Sequence, residues 1–274
     1  MSDSKHTAIG QALGYMYQFD RATYRLLEAD TAVVSVGLEQ IDDVSVHRAG
    51  LTVREQDKAT QKEVARPLTD RSVALWKTLA IWSDVVRADP AALVSTEFHL
   101  VTNGQVAPDS LAARINAAKT AEGTLSVATE ICTMLPTLRG DLQPFAERLR
   151  LLPLSTLEPL VGKIFVFDGV SASFGGNLDK LASLRLLGNI QRAAVFDNAV
   201  GWVRRVVLEK AKRDAPTLID RAAFDREIRA LFRRVAVAPL AIVFNADDST
   251  VDPANYRSHG FFQQLEWLIP TRVS

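Results

Sequence analysis

Between residues 33 and 58, apolar and polar positions alternate with a period of two in three runs: Val33 to Leu38, Val44 to Arg48 and Leu51 to Lys58. Side chains along an extended chain point to opposite faces in turn, so these runs predict three half-buried strands. Ala49-Gly50 supplies the turn between the second and the third. In the third run Arg54, Gln56 and Lys58 share one face, and Val53, Glu55 and Asp57 share the other.

On either side the apolar period lengthens to that of a helix. Helices are predicted over 9–29, 68–87, 108–118, 123–135 and 142–151. In the second, Thr69 or Asp70 is the cap, and Val73, Leu75, Trp76, Leu79, Ala80 and Val86 form the buried side. Trp76 and Trp82 read as core aromatics. Strands are predicted over 98–102, closed by the Asn103-Gly104 turn, and over 163–168. Gly175-Gly176 lacks phosphate-loop spacing and reads as a flexible turn. From 178 to 234 the pattern is helical in two or three segments, broken near Pro216, with Ile219-Asp220 opening the last.

Helix, antiparallel strands, helix and strand together predict an α/β chain with a mixed sheet flanked by helices, followed by a mainly helical C-terminal part. The expected division is a core over 1–175 carrying helical insertions, and 176–274 serving packing and assembly. Within the latter, 247–253 is a polar loop and 261–269 an apolar helix that must dock on this domain, a partner or a second copy.

The chain has 274 residues, 47% of them hydrophobic, and a formal net charge of zero. That is enough to bury a substantial core, and it carries no signature of disorder. The longest apolar run, 235–244, is too short to span a bilayer and contains Pro239. The N-terminus lacks the apolar run of a signal peptide. A lone cysteine, Cys132, excludes an intrachain disulfide framework and suits a reducing cytosol as a buried small apolar residue. The expectation is a cytoplasmic protein with no membrane segment. The histidines at 6, 47, 99 and 259 show no metal-ligand spacing, which argues against zinc. Ten basic residues against five acids between 201 and 234 form either a solvated helical face or an electrostatic track for a phosphate backbone.

The candidate chemistry lies in the strands. Glu39, Asp42 and Asp43 precede the second strand, and Gln56 and Lys58 end the third on one face. Acid, turn, strand and Gln-x-Lys is the order a metal-dependent phosphodiesterase needs. A carboxylate and an amide oxygen hold a hard divalent cation such as Mg²⁺ (or Mn²⁺), and an ammonium stands where negative charge develops. The bare pattern equally fits a solvated hairpin with cross-strand ion pairs.

Four blocks in order narrow the choice: Gly14-Tyr15-Met16-Tyr17-Gln18, residues 39–46, Glu55-Gln56-Asp57-Lys58, and Leu75-Trp76-Lys77-Thr78-Leu79 with Trp82. They resemble the CD-NTase-associated double-stranded DNA endonucleases of the PD-(D/E)xK (restriction-endonuclease-like) superfamily, effectors of CBASS and Lamassu anti-phage systems. The clear motifs cover about the first hundred residues. The resemblance implies Asp43, Gln56 and Lys58 as catalytic residues and Asp43, Glu39 and Gln56 as metal ligands. It implies Gln18 and Asp42 as supporting residues, with no DNA-contacting residue assigned.

It also implies DNA as substrate and activity upon homo-oligomerisation. After such a core the chain is too short for the cyclic-oligonucleotide sensor of CBASS members. That favours the three-component systems, whose partners are an SMC-like ABC ATPase and a third subunit. The competing expectation is an adaptor that keeps the nuclease fold without activity. One departure is Asp57, where the family carries an apolar residue: either the strand frays there or Asp57 has a basic partner.

Overall fold

The computed structural model describes residues 3–28, 32–60, 66–170, 173, 175–185 and 187–244, with backbone only over 3–9 and 235–244. The expected helix at 261–269 and the loop at 247–253 lie outside these residues. Two compact units are distinguished, 1–228 and 229–274.

The first unit is an α/β fold on a mixed six-stranded sheet. Helix α1 (Asp3–Leu27) leads into strands β1 (Val33–Leu38), β2 (Val44–Arg48) and β3 (Leu51–Lys58). Helices α2 (Val73–Ala88) and α3 (Ala92–Ser95) return the chain to β4 (Thr96–Thr102). Helices α4 (Leu111–Ala117), α5 (Ala121–Met134), α6 (Gln143–Arg150) and α7 (Leu154–Gly162) precede β5 (Ile164–Phe167). Then come α8 (Asn189–Ala211), β6 (Leu218–Asp220) and the start of α9 (Arg221–Phe244), whose residues from 229 on belong to the second unit. The strand order is β5-β4-β3-β2-β1-β6. β3, β4 and β5 run parallel to one another, and the remaining neighbours are antiparallel. β6 draws on residues past 175, so both expected segments contribute to the sheet.

Alternation sorts the two faces. Val36, Leu38, Val44, Val46 and Val53 are buried on one, together with Glu55, and α1 packs there with Ala22 and Leu26. The other face carries Phe98, Leu100 and Ile164 of the parallel half against Trp76, Leu79 and Trp82 of α2 and the helices α4 to α7. Burying a residue such as Leu or Phe there contributes about 2 kcal/mol. Trp82 stacks tilted on Phe98 with centroids 5.3 Å apart.

Several expectations require correction. Ser72, not Thr69 or Asp70, caps α2 through its Oγ, which accepts from Leu75 N. Asp70 instead ties this turn to α4, accepting from Leu111 N at 2.6 Å through Oδ1. Residues 218–220 add the unexpected edge strand β6 along the open edge of β1, while Asp220 opens the last helix as expected, its Oδ1 accepting from Ala223 N at 2.8 Å. Helix α7 was not read because Pro153 precedes it and Pro159 lies inside it. Cys132 is half-buried at the margin of the core. Gly175 and Gly176 are buried rather than loosely turning. A Cβ on Gly175 would lie 2.5 Å from Asp20 C of α1, and one on Gly176 2.2 Å from the Tyr24 ring. Among the described residues no helix is long and apolar enough to cross a membrane.

Candidate functional site

The site grows out of the turn joining β1 to β2. Glu39 has φ of 48°, in the left-handed region, and its N–H donates to Asp43 O at 3.1 Å. The chain thus reverses between 39 and 43 and delivers Asp42 and Asp43 to the start of β2. The last β2–β3 pair is Val44 opposite Glu55. Just beyond it the Asp43 side chain stands in for a backbone acceptor, its Oδ2 receiving Asp57 N–H at 2.7 Å.

On β3 the alternation brings Gln56 and Lys58 to this same spot. Gln56 Nε2 donates to Asp42 Oδ1 and, at 3.4 Å, to Asp43 Oδ1. Lys58 Nζ donates to Gln56 Oε1 at 2.9 Å and lies 3.7 Å from Asp43 Oδ2. Gln18, buried on α1, hydrogen-bonds Glu39. All six residues singled out in the sequence therefore converge.

Asp42 is buried beside the start of β2. It is 8% exposed, and Arg54 Nε donates to its Oδ2 at 2.8 Å. Burial raises its carboxyl above the usual range, against the opposing hydrogen bond and charge of Arg54. Burial likewise raises Glu39, with the hydrogen bond from Gln18 opposing it and the charges of Asp43 and Asp42 adding to it.

A second polar layer lies behind the site, between β3 and α1. Glu55 is fully buried, bonded by Arg21 Nε at 2.7 Å and Nη2 at 2.9 Å and by Arg25 Nη2 at 2.6 Å. Burial works against its ionisation, but the two guanidiniums outweigh burial and hold it charged. Arg25 Nη2 also meets His99 Nδ1 at 3.1 Å, and His99 Nε2 lies 3.2 Å from Glu97. Burial and then Arg25 push His99 down to about 3, so it is neutral.

Asp57 points into this layer. The strand does not fray there, and the basic partner is Arg21, whose Nε is 3.9 Å from Oδ1. Arg21 is already spent on Glu55. Among the described residues neither oxygen of Asp57 has a hydrogen-bond partner. Burial and then the charge of Glu55 raise its carboxyl well above the usual range. The sequence missed the roles of Arg54 and of the Arg21–Arg25 pair, although two arginines four apart on an apolar helix face were a readable signal.

Among the described residues no group of three or more His, Cys, Asp and Glu side chains is placed to hold a metal ion. What the site offers is an Asp43 carboxylate beside the Gln56 amide, with Glu39 close by. These are hard oxygen donors. They fit a cation that keeps several waters and takes few protein ligands, as Mg²⁺ does, and they do not fit zinc. A cavity of about 590 Å³ lined by Leu13, Tyr17, Asp20, Ala59, Thr60 and Asn103 opens where β3 leaves the sheet after Lys58.

No protein-family model matches the chain, and no curated protein matches it. Among solved structures, the Acinetobacter baumannii Cap4 SAVED/CARF-domain containing receptor with the cyclic trinucleotide 3'3'3'-cAAA is similar at TM-score 0.49 and 11% identity. The alignment covers 82% of this chain and 46% of that one. A second structure of the Acinetobacter baumannii Cap4 SAVED/CARF-domain containing receptor is similar at TM-score 0.44 and 11% identity, covering 80% of this chain and 46% of that one. The chain thus spans less than half the length of these receptors. At these scores the likeness bears on neither family nor activity.

Proposed function

We propose that this chain is a metal-dependent DNA endonuclease on a restriction-endonuclease-like core. The observation that carries the reading is the convergence of Asp43, Gln56 and Lys58 at one end of β2 and β3. They lie within hydrogen-bonding or ion-pairing reach of one another, in the order acid then Gln-x-Lys. Asp43 and Gln56, with Glu39 adjacent, would hold a divalent Mg²⁺ or Mn²⁺. When bound, that cation supplies a Lewis acid and an acidified water.

The protein's own part follows from position. Water oxygen bonds to phosphorus, one phosphorus–oxygen bond to a sugar breaks, and the departing oxygen takes up a proton. Lys58 places fixed positive charge beside the phosphate as negative charge accumulates. Asp42 orients Gln56, Arg54 holds Asp42, and the Asp57 N–H anchors the Asp43 carboxylate.

The sequence resemblance extends the reading to an effector of an anti-phage system, activated by partner subunits, among them an SMC-like ATPase, or by oligomerisation. A second reading is an inactive adaptor with the same fold. It is favoured by the absence, among the described residues, of a three-membered acidic or histidine cluster. Phage challenge of cells carrying Lys58→Ala separates the two. Loss of protection with normal protein levels supports the nuclease, and retained protection supports the adaptor.

A further inference from the structure

The place a cation would take beside Asp43 and Gln56 is held by Lys58. Its Nζ lies 2.9 Å from Gln56 Oε1 and 3.7 Å from Asp43 Oδ2. The Gln56 amide is turned accordingly. Its oxygen faces the ammonium, and its nitrogen faces Asp42 and, more distantly, Asp43. Asp42 is itself fixed, with Arg54 donating to Oδ2 while Gln56 donates to Oδ1. The orientation is therefore braced from outside the pair.

Resting on the metal-dependent reading above, we infer that Lys58 is an internal counter-ion that competes with the divalent cation for Asp43 and the Gln56 oxygen. Cation binding displaces the ammonium toward the phosphate. A full positive charge at this distance from a divalent ion is repulsive, and the lone pair that Gln56 offers the lysine is one a metal would need. The lysine's side chain is only 19% exposed, as is that of Asp43, so solvent screens the contact incompletely. Loading the site and arming the lysine become one event. Lys58 against Asp43 and Arg54 against Asp42 also compensate the charges of the two acids.

The test is Mn²⁺ binding by titration calorimetry, without DNA, on the full chain. Wild type, Lys58→Met and Asp43→Asn are compared, with circular dichroism as a check on folding. Lys58→Met is expected to bind Mn²⁺ about tenfold more tightly than wild type, and Asp43→Asn to lose binding. If Asp43→Asn loses binding while Lys58→Met binds with unchanged or weaker affinity, the competition is overturned and the metal site stands. If Asp43→Asn binds as wild type does, the metal-site reading itself fails. Should Lys58→Met unfold, Lys58→Gln, which keeps a polar end without charge, is expected to show the same tightening.

Discussion

Asp57 isolates what burial does to a single carboxyl. Buried beside an arginine already engaged by Glu55, it keeps its proton well above the ordinary aspartate range. A group whose folded pKa is raised makes the fold lose stability as pH climbs from the ordinary value toward the folded one, because the native state then holds the extra proton. Asp57→Asn removes that loss. Its stability advantage over wild type in urea denaturation is expected to be small near pH 4 and to reach about 1 kcal/mol or more at pH 7. A difference flat in pH would mean that Asp57 ionises normally.

His99 runs the other way. Its folded value of about 3 lies below the ordinary one. The unfolded chain therefore binds more protons between about pH 6.5 and 3, and stability falls as pH drops through that window. His99→Gln is expected to flatten the acid limb of a pH–stability profile, whose steepest contribution from one group is about 1.4 kcal/mol per pH unit. An unchanged acid limb would show that His99 is already charged in the fold.

At this scale the sequence was informative where chemistry and alternation coincided. The common face of Gln56 and Lys58 follows from a period of two. The burial of Asp42 could not be read, because it depends on Arg54 reaching back from another strand.

At the scale of elements, α1 is locked to β3 through Glu55, and this clamp sits directly behind the site. Glu55→Ala removes the acid that both buried guanidiniums share, leaving Arg25 its pair with Glu28 and Arg21 its longer contact with Asp57, and is expected to destabilise the fold by about 3–5 kcal/mol, read from the midpoint of thermal or denaturant unfolding. A cost below about 1 kcal/mol would show that water or another acid satisfies the arginines. Gly37 is a second fixed point on β1. A Cβ there would meet Ser45 Oγ at 2.6 Å and Leu218 Cδ2 at 3.1 Å, so a larger residue would force these side chains to move.

The bounds of β1, β2 and β3 were legible because strong alternation ends at turn residues. Strand β6 was not. A three-residue segment between helices carries no period, and only an unpaired edge of β1 makes it a strand. Helix α7 was hidden for a related reason, since prolines disguised a segment that burial of Leu157, Leu160 and Val161 keeps helical.

For the whole molecule, the mixed sheet places β3 centrally, with α1 on one face and the α2–α7 helices on the other side of its parallel half. The end of β2 and β3 that carries Asp43, Gln56 and Lys58 is thereby held from both sides. A formal charge of zero gives the chain little general attraction for DNA, which suits an effector that acts once assembled. Turnover per chain is accordingly expected to rise with protein concentration in a plasmid-nicking assay. Strict proportionality of rate to concentration would contradict activation by self-association.

The most direct measurement is conversion of supercoiled plasmid to nicked and linear forms with Mg²⁺, Mn²⁺ or a chelator. Wild type and Asp43→Asn are purified in parallel, alone and with the products of neighbouring genes. Metal-dependent conversion that the substitution lowers by at least about a hundredfold is expected. Conversion equal in the two proteins, or absent in every combination while both remain folded, would contradict a phosphodiesterase site at Asp43, Gln56 and Lys58.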